Sequence, residues 1–111
     1  MSNYQKALER YDRIVALCPR FERLGKTMPY TAANTHMFSI LNKEGELGFR
    51  YDKKMQAEYM ERFDSDFLLS HGATMNGYIL ITEEMLKDTE LCVGLLNESY
   101  DYVLSLEPRE K

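Results

Sequence analysis

His36 lies near Tyr30, Asn34 and Asp52 in the chain, and these are residue types that acid and base catalysis uses. An imidazole near neutrality is a usable base, and it needs a neighbour within hydrogen-bond reach to work on substrate. No nucleophile motif of the GxSxG kind accompanies them. A polar strand entry, with Asn34 in a turn, accounts for the same residues without chemistry. Tyr30 and Tyr51 sit beside basic residues, and a tyrosine next to Lys26 or Arg50 can stack on a base or clamp a carboxylate. Lys26, Tyr30, Asn34, His36 and Arg50 are therefore the candidate ligand-binding or partner-binding residues, and no catalytic residue is assigned. Cys18, His36, His71 and Cys92 are spaced by 18, 35 and 21 positions. Structural zinc sites bring their ligands in close couples, so no metal and no cofactor are expected. The two cysteines read as buried thiols.

These residues need elements to position them. Tyr4, Ala7, Leu8, Tyr11, Ile14, Val15 and Cys18 recur at helical spacing and predict a helix over 3–24, ended or restarted at Pro19. From Lys26 the period changes. Thr27 to Thr31 is extended in character, and Pro29, lacking a ladder donor, belongs at an edge or a bulge. The run His36 to Leu41 reads as a strand, Asn42 to Gly45 as a turn, and Glu46 to Tyr51 alternates strictly. Leu47, Phe49 and Tyr51 should face a core while Glu46, Gly48 and Arg50 face water. Asp52 can cap a helix over 53–62, with Met55, Tyr59, Met60 and Phe63 as its apolar side. Residues 64–77 read as loop with a possible short strand, and Tyr78 to Ile81 as a further strand. Thr82 or Asp88 starts a last helical region that reaches Leu106 before Pro108.

With 111 residues, the chain is one domain over 1–111: helix 3–24, sheet and helix 26–81, and a C-terminal helical segment 82–106. Turns this short require antiparallel pairing. The fold class is α+β, a central antiparallel sheet with N-terminal and C-terminal helices packed on one face. A composition 44% hydrophobic and 29% charged excludes disordered and low-complexity classes. The start lacks the apolar run of a signal peptide and no stretch reads as a membrane span, so a cytoplasmic protein without membrane contact is expected. Net charge is −4, divided into 10 basic and 6 acidic residues up to residue 55, and 4 and 12 after it. That balance opposes nucleic-acid binding at physiological salt. A local patch of Arg20, Arg23, Lys26, Arg50, Lys53 and Lys54 is the residual route to it.

Gly25-Lys26-Thr27-Met28-Pro29-Tyr30-Thr31, with Asn34, Met37-Phe38-Ser39 and the Gly45 hairpin, resembles the TfoX/Sxy N-terminal domain family. Tyr78 to Ile81 and Glu84 to Leu91 are similar to that family's closing strand and acidic helix start. Leu95 to Val103 resembles the last helix of the related YjbR-like proteins. The chain differs from the commoner family pattern in having no glycine between residues 26 and 44. The resemblance covers roughly residues 25 to 106 and implies a secretion-chaperone-like α/β fold without an active site. On that reading the chain is a small non-catalytic interaction or regulatory module. The alternative is a small-ligand-binding or enzymatic domain using Lys26, Tyr30, Asn34, His36 and Arg50. The expected partner is another protein or a second copy, weakly bound through the sheet side or the edge near residues 27 to 31.

Overall fold

The apolar stripe that begins at Tyr4 forms helix α1, Asn3–Ala16, in the computed structural model, which describes residues 3–70 and 72–108. Its end falls well short of residue 24. The Leu17 and Cys18 amides donate to the carbonyls of Ile14 and Val15, tightening the last turn, and Pro19 disfavours helix at the residue before it. Residues 19–24 instead lead to the sheet edge, where Leu24 and Tyr30 exchange backbone hydrogen bonds of 2.8 and 3.0 Å.

Five antiparallel strands follow: β1 Tyr30–Ala33, β2 His36–Leu41, β3 Leu47–Arg50, β4 Phe67–Ser70 and β5 Ala73–Ile81, in the order β1-β2-β3-β5-β4. Between β3 and β4 runs helix α2, Lys53–Arg62, capped as expected: the Met55 amide donates to Asp52 Oδ1 at 2.7 Å. Thr82 and Asp88 each start a helix, α3 Glu83–Leu86 and α4 Thr89–Leu104. The predicted α+β class and the expected β2 and β3 strands are present. Residues 64–77 hold more order than a loop. Their alternation is hidden because four residues of β5, 75–78, lie between the two that pair with Phe67 and Leu69 of β4.

The main core lies on one face of the sheet. Tyr11 and Ile14 from α1, Tyr59 from α2, and Cys92, Leu96 and Val103 from α4 pack on Phe38, Leu41, Phe49 and Ile79. Phe38 reaches that core through a bulge. Thr31 pairs with Ser39 and Ala32 with Met37, so Phe38 is an extra residue that turns to the same side as Ser39. Ser99 of α4 clips this point, its hydroxyl lying 2.9 Å from the Phe38 carbonyl and 2.5 Å from the Arg50 carbonyl.

The opposite face does not simply meet water. Gly48 is buried there, and a methyl on it would collide with Leu68 of β4, two strands away in the sheet order. Strand β4 leans across this face and builds a second cluster of Ile40, Leu68 and Tyr78, flanked by Met28, Tyr30 and Met37. The missing side chain at Gly48 makes the room.

Some backbone groups of the two edge strands are engaged by other parts of the chain. Leu24 exchanges backbone hydrogen bonds with Tyr30 of β1, within the stretch 27 to 31. On β4, Asp66 Oδ1 accepts from the Phe67 amide and Asn42 Nδ2 donates to the Leu69 carbonyl. No described helix is long and apolar enough to cross a membrane.

Candidate functional site

The structure does not bring the five sequence-predicted residues together. Lys26 is exposed in the loop before β1, and Tyr30 packs with the second cluster on the helix-free face. Asn34 and Thr35, both at positive φ (52° and 65°), make the two-residue turn between β1 and β2. The Asn34 amide donates to the carbonyls of Val103 and Leu106 at 2.9 and 2.6 Å. His36 is only 7% exposed, and its Nε2 lies 2.8 Å from the Glu107 carbonyl. A carbonyl only accepts, so Nε2 carries the hydrogen, and Nδ1 is buried without a hydrogen-bond partner among the described residues. Asn34 and His36 thus hold the C-terminal end of α4, where helix carbonyls lack intrahelical partners. Asp52 is the α2 cap. His71 lies outside the described residues, and among those described no His, Cys, Asp and Glu side chains cluster as a metal site.

The remaining reactive groups are held in their protonated forms. Burial pushes the Cys92 thiol up to about 11, with Asp88 adding to the shift, and burial also raises Cys18 against the opposing charge of Arg20. Burial lifts Tyr11 and Tyr51 well above the usual phenol range. Tyr11 joins a buried hydroxyl chain through Ser39 to Thr31, and Tyr51 donates to the Leu95 carbonyl at 2.5 Å. Tyr59 is raised to about 12, first by burial and then by its hydrogen bond to Glu98. Protonated thiols and phenols are poor nucleophiles.

The basic residues divide. Arg20 bonds Asp101 at 2.8 Å and lies over the Tyr100 ring, and Arg23 pairs with Asp12. Arg50 and Lys53 go elsewhere. They line a cleft of about 540 Å³ between α2 and the bulged stretch of β5, within the roughly 300–1,000 Å³ of small-molecule sites. Lys53, Gln56, Ala57 and Met60 form its helical wall at i, i+3, i+4, i+7 spacing. Tyr51, Phe67, Asn76, Gly77 and Tyr102 complete it, and Phe67 is 40% exposed. No acidic side chain among the described residues lines it.

Two local features place Arg50. Its guanidinium carbon lies 5.8 Å from the Tyr102 ring centre, a cation held against an aromatic face. A Cβ at Gly77, where φ is +87°, would stand 3.3 Å from Arg50 Cγ, so the glycine gives both the backbone turn and the room for the arginine stem.

Compared with known proteins, the chain matches no family model, no curated protein and no solved structure. The cleft is therefore read from its own geometry.

Of the five predicted residues, only Arg50 lines it. The aromatic partner is Tyr102 from α4, whereas the chain neighbour Tyr51 is turned into the core. The sequence carried two weak signals for the rest. Gly77 inside a strand pattern marks a bulge or a close approach. The 53, 56, 57, 60 face of α2 has helical spacing, but with Lys and Gln on it that face reads as solvated.

Proposed function

We propose that this chain is a small non-catalytic binding module, similar to the TfoX/Sxy N-terminal domain, whose binding site is the cleft between α2 and β5. The observation that carries the reading is the convergence of Arg50 and Lys53 with the apolar walls of Ala57, Met60, Phe67 and Tyr102 in one open cavity. A five-stranded antiparallel sheet backed by helices supports the resemblance at the level of architecture. Against the enzymatic alternative, Asn34 and His36 are engaged by backbone carbonyls of the last helical turn and its exit. A cytoplasmic setting and an interaction role remain the sequence's expectations for this module.

The test is a fragment library followed by backbone-amide NMR shifts of the full chain. Shifts are expected at Arg50, Ala57, Gly77 and Tyr102 in the wild type. Ala57→Trp, which fills the cleft from an exposed helix position, is expected to silence them without changing the melting temperature. Shifts gathered instead around Asn34 and His36 would restore the sequence-predicted site and remove this reading.

A further inference from the structure

We infer that the cleft takes a small organic carboxylate with a ring-sized apolar body, an inference that rests on the cleft being the binding site. The charge distribution carries it. The chain has 18 acidic and 14 basic residues, yet among the described residues two cations and no carboxylate line this cavity. The four ion pairs among the described residues use Arg10, Arg20, Arg23 and Lys87, and none engages Arg50 or Lys53. Asp52, Glu98 and Asp101 line a separate groove that shares Tyr102 with the cleft. Asp52 is also engaged by the Met55 amide, Glu98 by Tyr59 and Asp101 by Arg20. Among the described residues neither cation is in an ion pair, and an anion entering the cleft supplies a counter-charge.

The guanidinium of Arg50 presents a planar fork of donors that fits a carboxylate edge-on, while Lys53 adds a mobile ammonium. The rest of the wall is too apolar for a ligand that is all charge. Met60, Phe67 and the Tyr102 ring offer hydrocarbon contact to the body behind the carboxylate, and Met adapts to its outline. Both cations are partly solvated, so the selectivity for the acid over its uncharged isostere is moderate and decreases with salt.

The probes are 3-phenylpropionate, its primary amide and inorganic phosphate, each titrated into the full-length chain and followed by backbone-amide shifts. The acid is expected to shift Arg50, Ala57 and Gly77 and to bind roughly tenfold more tightly than the amide, the scale of one charge-assisted hydrogen bond. Arg50→Gln and Lys53→Gln, both with wild-type melting, should each weaken the acid more than the amide and so narrow the gap between them. An amide that binds in the cleft as tightly as the acid overturns the anion preference and leaves the cleft standing. Phosphate matching the acid overturns the apolar body. Silence from both organic probes, or shifts confined to another surface, overturns the inference together with the cleft.

Discussion

The Cys92 thiol, fully buried beneath α3 as the sequence predicts, donates to the Met85 carbonyl at 3.1 Å and is raised from 9.0 to about 11 chiefly by burial. The folded chain therefore holds this proton more tightly than the unfolded chain. Its contribution to stability is complete below pH 9 and is lost as pH rises through about 11. Tyr59, raised from 10.0 to about 12, acts in the same sense at higher pH. Urea midpoints measured from pH 8 upward should fall with pH, and Cys92→Ala should flatten the part between pH 9 and 11. An unchanged slope in the variant would assign the alkaline loss to other groups. Asn34 Nδ2 and His36 Nε2 are likewise engaged structurally, by carbonyls of the last turn of α4 and its exit.

At the scale of elements, the contact between β3 and β4 decides the shape of the helix-free face. Gly48 is a strand residue whose lack of a side chain admits Leu68, and Leu68 is wholly buried as a result. Gly48→Ala is expected to cost about 1–3 kcal/mol through overpacking, and Leu68→Ala about 2–5 kcal/mol through cavity formation. Because both act on one contact, the double variant should lose clearly less than the sum, read from chemical denaturation as a double-mutant cycle. Additive losses would show that the two residues do not share a contact. The β2 bulge belongs to the same scale. It places Phe38 with Phe21 and Tyr100 at ring separations of 5.0 and 5.6 Å, an aromatic cluster that a regular strand would have split between two faces.

Over the whole molecule, charge is sorted rather than pooled. The first 55 residues carry a net +4 and the remainder −8, yet the fold sets Arg20 of the first half against Asp101 of the second. Of the remaining patch residues, Arg23 is paired with Asp12, while Arg50 and Lys53 face a cleft. Negligible affinity for nucleic acid at physiological salt is expected, since non-specific binding depends on many cations meeting many phosphates. Fluorescence anisotropy with short single- and double-stranded DNA and RNA checks this. Micromolar binding that weakens steeply with salt and disappears in Lys26→Glu would overturn it.

The sequence by itself determined the elements whose cause is local. The stripe of α1, the Asp52, Thr82 and Asp88 caps, the Gly45 turn at φ +82° and the β2 and β3 strands each depend on residues a few positions apart. Only the tertiary structure decided which side chains meet. His36 finds its partner 71 residues later, and the cleft draws on β3, α2, β4, β5 and α4. Those meetings depend on bulges in β2 and β5, and a single inserted residue moves every later side chain of a strand to the other face. Such an insertion leaves almost no mark on composition or periodicity, so the alternation of Glu46 to Tyr51 was readable while the neighbours of Arg50 were not.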